Sequence, residues 1–448
     1  MAQEDDTLEL LNDLVGKALK AGADAADAVD FKSIALSHAQ RLGEVEKVER
    51  SESRDLGLRV FFGKKQAVAS STDPGAPALA ELVERAVAMA KAVPDDVHCG
   101  LADPSEILTG DIPELDMADP EEPTTETLAQ RARDCEAAAR GVPGVTNSEG
   151  AEASWSSSDI AIVSSNGFSG GYRSSGHGFW VAVLAGEGTG MERDYESTSA
   201  TYASDLDSPS YVGQTAGERA VARLKPRKVD TQQVPIVYAP RVANGLVRHL
   251  AGAVNGSAVA RGTSFLKDSM GQRLFPEGVH IIDDPHRKRG HRSKPFDAEG
   301  LANPPMHLVE DGVLENWVLD LATARKLGLS SNGRASRGTS SPPSPSTTNL
   351  YMTAGKISPQ ELIVDITEGF YVTELMGMGV NNVTGDYSRG ASGFWIESGR
   401  ISYPVSEVTI AGNLKDMFRN LTPADDLRFK YGTDAPTVRI EGMTVAGN

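Results

Sequence analysis

Cysteine is nearly absent: Cys99 and Cys135 are the only two in 448 residues. Two thiols cannot build a disulfide framework in so long a chain, and they read as reduced structural residues. Long apolar runs are missing too. The longest, residues 179–185, falls far short of the ~20 residues that a membrane-spanning helix needs. The amino terminus, MAQEDDTLELL, is acidic and carries no apolar segment of the kind a secretory signal has. These absences predict a cytoplasmic protein without a membrane span. Basic charge is also short: 44 Lys and Arg face 62 Asp and Glu, a formal net charge of −18. A nucleic-acid binder needs a basic face to neutralise phosphates, and the basic clusters at 286–289 and 219–228 are short and interrupted. No direct contact with nucleic acid is expected. No G-x-G-x-x-G or P-loop cradle for phosphates occurs in the sequence.

What the chain does have is turn chemistry. It contains 45 glycines and 24 prolines, against an ordinary 40% apolar and 24% charged content. Its length allows two or three domains, each able to bury a core. Glycine, serine, threonine and proline concentrate between 332 and 394, in SNGRASRGTSSPPSPSTTNLYM and TELMGMGVNNVTGDYSRGASGFW. Glycines with positive φ and rigid prolines shape a backbone surface, suited to holding an extended chain rather than a nucleophile.

Periodicity gives the elements. Leu8, Leu11, Val15 and Ala18 mark a first helix capped by Gly22. Residues 27–70 alternate as three antiparallel strands. Leu79, Leu82, Val83, Ala86, Val87 and Ala90 stripe a second helix that Pro94 ends, and 101–123 is an acidic, proline-rich connector. A third helix is predicted over 125–140, then strands, then a short helix over 213–224. Pro226 and the polar segment after it set a boundary, giving an N-terminal α+β domain (1–225) and a β-rich C-terminal domain (226–448). Within the second, a strand precedes a helix over 242–253. Ser358-Pro359-Gln360-Glu361 is a capping box that predicts a helix running to Phe370. Antiparallel strands with segregated helices make the fold class α+β.

The reactive-looking motifs fail on context. Gly167–Gly171 matches G-x-S-x-G, but strands flank it on both sides, so it reads as a hairpin turn. Ser264-Phe265-Leu266-Lys267 matches S-x-x-K without its companion motifs. Asp283, Asp284, His286 and His291 form the densest ligand-capable group, though Pro285 and the intervening Arg-Lys-Arg favour an aspartate-stabilised turn over a metal site. His249 lies on a predicted helix reading Arg-His-Leu-Ala-Gly-Ala-Val. Leucine stands where a metalloprotease has its glutamate base, and no second imidazole follows one turn on.

The segments SAVARGTSFL, IIDDPH, SRGTSSPPSPSTTNLYM, YVTELMGMGVNNVTGDYSRGASGFWIE and VTIAGNLKDMFRNL resemble the TldD/TldE family, in its PmbA (TldE) branch. The resemblance spans essentially the whole chain. It implies a cytoplasmic two-domain subunit that pairs with a TldD-type chain as a heterodimeric zinc metalloprotease acting on unfolded peptides. The family is also called a modulator of DNA gyrase. In such pairs the TldD subunit carries the zinc, on H-E-x-x-x-H and a later cysteine. This sequence lacks both, its cysteines being at 99 and 135. The expectation is therefore no catalytic residue, metal or cofactor in this chain, with zinc in the TldD partner.

Peptide recognition is assigned to the loop around Asn381, Gly385, Asp386, Tyr387, Ser388 and Arg389, with Arg389 placed to hold a carboxylate or carbonyl and extended substrate adding to exposed strand edges. In the alternative, Asp386 and Arg389 pair with each other and the loop only stabilises itself. A homodimer in the absence of the partner is a further expectation. Two other functions stay open: an autonomous hydrolase centred on Asp283, Asp284 and His286, and a non-proteolytic protein that binds gyrase.

Overall fold

Alternating small and polar residues at the amino end build one long sheet. In the computed structural model, which describes residues 2–447, α1 (Ala2–Lys20) leads into β1 (Ala25–Arg41), β2 (Glu44–Phe62) and β3 (Lys65–Ser71). Then come α2 (Ala76–Ala92), the connector, α3 (Thr125–Arg140), β4 (Val145–Ser164), β5 (Ser169–Ala185), β6 (Glu192–Ala200) and α4 (Pro209–Ala222). The six strands are antiparallel in the order β3-β2-β1-β4-β5-β6. Side chains alternate between faces along each strand. One face, with Ala26, Ala28, Leu56 and Leu58, packs on Leu11 and Leu14 of α1 and Leu82 and Ala86 of α2. Further along, Leu36, Trp155 and Val181 pack on Leu128 and Cys135 of α3 and Val212 and Ala216 of α4. All four helices thus cover the same face.

The second unit comprises β7 (Gln232–Tyr238), α5 (Pro240–Ala253), α6 (Gly256–Ala260), β8 (Ile281–Asp283), β9 (Met306–Glu310), β10 (Val313–Leu314) and α7 (Leu321–Leu327). It continues through β11 (Ala335–Ser336), β12 (Ser344–Pro345), β13 (Leu350–Met352), α8 (Pro359–Ile363), β14 (Glu368–Met376) and β15 (Asp386–Glu397). β16 (Arg400–Asn413), α9 (Leu414–Arg419), β17 (Leu421–Pro423), β18 (Thr433–Asp434) and β19 (Val438–Ala446) complete it. One sheet runs β16-β15-β14-β7-β19-β17, and β16 pairs β19 as well, closing five strands into a ring. Closure removes free edges. A smaller sheet runs β10-β9-β8-β13-β18. The apolar stripe of α5, Leu246, Val247 and Leu250, shares one core with Ile281, Leu308, Phe370 and Ile440 from both sheets. Among the described residues, no helix is long and apolar enough to cross a membrane.

The α+β class stands, and so does the hairpin turn, where Gly167 takes φ +103 between β4 and β5. One helix does not. The capping box at Ser358 forms, with Ser358 N donating to Glu361 Oε2 at 2.7 Å, but the helix stops at Ile363 instead of Phe370. The next residues, Glu-Gly-Phe-Tyr-Val, enter β14 between β7 and β15, where Phe370 lies opposite Ile236 and Trp395. Aromatic and β-branched residues there gain strand pairing and burial that a short helix could not supply. Helix α4 begins at Pro209, earlier than predicted, because Ser208 caps it.

Close helix packing rests on Gly213 and Gly217 of α4. A Cβ at Gly213 of α4 would strike the Cys135 carbonyl of α3 and come within 2.7 Å of Ala138 Cβ, whereas a Cβ at Gly245 of α5 meets nothing within 4 Å. Gly213→Ala is therefore expected to destabilise the protein by about 1–3 kcal/mol, and Gly245→Ala to stabilise it by up to about 1 kcal/mol. Urea unfolding of the two variants checks both signs.

Candidate functional site

The loop predicted to grip peptide lies between β14 and β15. Asn381 Oδ1 accepts from Val383 N at 2.9 Å, and Gly385 N donates to Asn381 O at 2.8 Å, so Asn381 shapes its own turn. Gly385 takes φ +85, which a side chain rarely tolerates. Asp386 accepts from Thr384 Oγ1 at 2.6 Å and Asn413 Nδ2 at 3.1 Å, while Arg389 Nε donates to the Met376 carbonyl at 3.1 Å. The pairing of Asp386 with Arg389 does not form, because three residues along a strand place them on opposite faces. Ser388 is exposed, but its N–H is bonded to Gly379 O at 2.7 Å. Tyr387 is only 2% exposed and its phenol meets Tyr238 inside the barrel. The backbone here is paired on both sides, by β16 and by the Val380–Tyr387 bridge, so this loop leaves no free strand edge. What the loop offers instead is an apolar tip, with Met376, Met378 and Val383 exposed.

The glycine-serine tract also departs from expectation. Much of it is buried and the extended chain it binds is its own. Arg334 donates to Asp283 Oδ2 at 2.5 Å and to Pro304 O at 2.6 Å. Arg337 reaches out of the tract to Asp27 on β1. A Cβ at Gly57 of β2 would sit 2.7 Å from Thr339 Cα, so the tract lies directly on the first sheet. Phe296, Ala298 and Ala335 pack beside it on Val29, Ile160 and Ile162, the face that carries no helices.

The charges at this junction decide each other. Burial pushes the Asp27 carboxyl up, but Arg337 and Arg59 outweigh burial and hold it below the usual range. Arg59 Nε donates to Asp27 Oδ2 at 2.9 Å. One carboxylate cannot satisfy two guanidiniums. Arg337 keeps an unpartnered Nη2, and burial holds its pKa below the ordinary value. Nearby, Asp297 accepts from Glu299 N and Leu301 N at 2.9 Å and Ala335 N at 3.1 Å, a donor set that suits an ionised carboxylate. Glu299 accepts only from Leu321 N, at 2.8 Å. Burial first, and Asp297 second, push the Glu299 carboxyl up to about 8. Glu299 is the protonated member.

Because the second unit covers only part of the helix-free face, the rest lies open. Ser33 and Ser53 bond across β1 and β2 at 2.9 Å. On β4 to β6, a Cβ at Gly178 would lie 3.9 Å from Ser154 Oγ and 3.7 Å from Ser199 Cβ, so these residues share that face. The result is a floor of serine and glycine, with Ser53, Ser156 and Ser199 exposed. At its end, a cavity of about 300 Å³ lies between Ser199–Thr201 and the second unit's Arg287, His291, Asn349, Phe429 and Asp434. Sequence reading missed this cleft. The alternating serines of ASWSSSDIAIV and GYRSSGHGFW signalled a polar strand face, but not what stands over it.

Helix α5 places His249 edge-on to Tyr387, ring centroids 5.9 Å apart. Burial, then Arg389 and Arg248, hold its pKa below the ordinary value. Models of the PmbA/TldA metallopeptidase domain 1, central domain and C-terminal domain match residues 33–90, 118–224 and 231–447. Metalloprotease PmbA of Escherichia coli O157:H7 is 37% identical, over 100% of this chain and 98% of that protein. The chain belongs to the PmbA/TldD family. The Haemophilus influenzae PmbA homologue is 36% identical across 100% of this chain and 97% of its own. A Bacteroides thetaiotaomicron crystal structure, solved as a candidate modulator of DNA gyrase, superposes with a TM-score of 0.92 at 25% identity over 99% of both chains. TldE of Thermococcus kodakarensis shares the fold, with TM-score 0.88 at 19% identity over 98% of this chain and 100% of its own.

The family's metallopeptidase name raises the question of zinc, and the donors of this PmbA/TldD chain do not fit it. Among the described residues, no three His, Cys, Asp or Glu side chains converge. His249 has two cationic neighbours, which repel a dication. Asp283 is taken by Arg334 and Thr348, Asp284 by His286 N at 2.9 Å, and His286 Nε2 by Asn303 at 2.9 Å. Ser264 Oγ donates to Ala253 O at 2.6 Å, a structural bond. Cys135 is buried in the first unit and its thiol is pushed up to about 12 by burial. A pH test probes the junction. The folded protein keeps the Glu299 proton that the unfolded chain loses above about 4.5, so stability is full below that value and declines as pH rises to about 8. Glu299→Gln is expected to flatten that decline, by about 4 kcal/mol at pH 8, in unfolding measured from pH 4.5 to 8.5.

Proposed function

We propose that this chain is the substrate-holding, non-catalytic member of a two-subunit cytoplasmic metalloprotease, with zinc in a TldD-type partner and unfolded peptide as substrate. The observation that carries this reading is α5. Where a metallopeptidase helix needs a carboxylate base and a second imidazole, α5 presents Arg248, His249 and Leu250, with Arg389 beside them. That environment can hold an anion and cannot activate a metal-bound water. The serine floor supports the holding role, since small side chains let an extended main chain approach a sheet and hydroxyls both donate and accept. The exposed Met376, Met378 and Val383 tip supports the pairing role, as protruding apolar residues mark contact surfaces. Without the partner, the same tip is the proposed basis for self-pairing.

Cleavage of an unfolded peptide by this chain, by a TldD-type chain and by their mixture tests the assignment. Activity for the mixture alone is the expected result, and stoichiometric zinc with cleavage by this chain alone rules the reading out. Met378→Asp is expected to leave thermal stability unchanged, because the side chain is 93% exposed, while cutting complex formation at least about tenfold on sizing columns.

A further inference from the structure

Arg287, Lys288 and Arg289, from the short basic run of the sequence, come together at the mouth of the cavity between the two units. Arg289 is already engaged, donating to Asp116 Oδ2 at 2.6 Å and Asp205 Oδ2 at 3.1 Å. Asp434, which also lines the cavity, turns Oδ1 to its own loop, accepting from Lys430 N and Tyr431 N, each at 2.9 Å. Arg287 differs. Its guanidinium lies over the Phe429 ring at 3.4 Å from the centroid, and Phe429 is itself held edge-on by Tyr351 at 4.9 Å. Among the described residues, its N–H groups make no hydrogen bond or ion pair. An arginine stacked on an aromatic face keeps its in-plane donors free and fixed in direction, the geometry that recognises a carboxylate in bidentate fashion. Lys288 adds a second positive charge at the same mouth.

The cavity also closes the serine floor. Strand β6 ends at Ala200, and Thr201 Oγ1 donates to Arg289 O at 3.0 Å, so the second unit blocks any chain lying on the floor from running further. We propose that this cavity is a carboxylate site that anchors the free C-terminus of an extended peptide on the floor. The inference rests on the substrate-holding reading above and names the substrate class: peptides with an exposed terminal carboxylate. A space of about 300 Å³ takes one chain end and excludes a folded surface.

The test uses the intact chain, without a partner, and a fluorescent N-acetylated hexapeptide of Ala, Gly and Leu as free acid and as C-terminal amide. Anisotropy is expected to show the acid binding about tenfold tighter or more. Arg287→Gln is expected to abolish that difference, and Arg287→Lys, which keeps the charge but loses the fork, to restore part of it. Lys288→Gln gives a smaller loss and serves should the Arg287 variants not fold. Equal binding of acid and amide, or a difference that survives in folded Arg287→Gln, overturns the anchor and leaves the holding role standing. Inorganic phosphate that competes as well as the peptide acid makes this a small-anion site and also overturns it. Failure of both peptides to bind sinks the anchor and the holding role together.

Discussion

A buried carboxylate, Asp27, lies between two guanidiniums, Arg59 from the first sheet and Arg337 from the second unit. Taking three charged groups out of water is costly, and the arrangement holds because each opposite charge offsets the desolvation of its neighbour. Losing Asp27 would leave two buried guanidiniums without their counter-ion, a penalty of about 3–5 kcal/mol. The aromatic contact of Phe296 with Phe168, ring centroids 5.0 Å apart, closes the same seam. Glu299 stays neutral nearby, which spares the junction a further buried charge. With the second unit fixed here, part of the helix-free face is covered and the rest becomes a floor with a wall.

Ring closure in the second unit has a parallel consequence. With β16 paired to both β15 and β19, the strand bearing Tyr387 has no free edge, and contacts with another chain fall to the loop tip and to the open sheet face. In the first unit, β3 covers only residues 56–62 of β2. Of the uncovered stretch of β2, residues 44–53 are exposed and interleave Glu, Lys and Arg with other residues, which blunts the edge against strand addition. A polar face, and not an edge, is what the first sheet leaves open.

The family and this chain's chemistry diverge at α5. The three PmbA/TldA domain models match this chain, and on α5 His249 has Arg248 and Arg389 for neighbours. The same bias recurs at Arg287 and Lys288, in a molecule whose formal net charge is −18. Local basic surfaces in an acidic protein point to recognition of negative groups at chosen places while the bulk of the surface keeps other anions away.

The helices and long strands were legible because their signals are local. The stripe from Leu79 to Ala90 and the alternation of 27–70 need only a 3.6 or 2.0 residue period to be read. The family, too, was legible, since it is carried by contiguous segments. The Ser358 helix was misread at its far end because strand partners Ile236 and Trp395, both distant in sequence, outbid local preference. The role of the glycine-serine tract was misread for the same reason: nothing near Arg337 in the chain announces Asp27, 310 residues away. Sequence by itself determined the elements, the acidity and the lack of a metal-binding helix pattern, because those are properties of neighbouring residues. Only tertiary structure decided that Tyr387 faces inward, that the tract is a buried strap and that Arg287 meets Ser199 across a cleft, because burial and long-range pairing are properties of the packed whole.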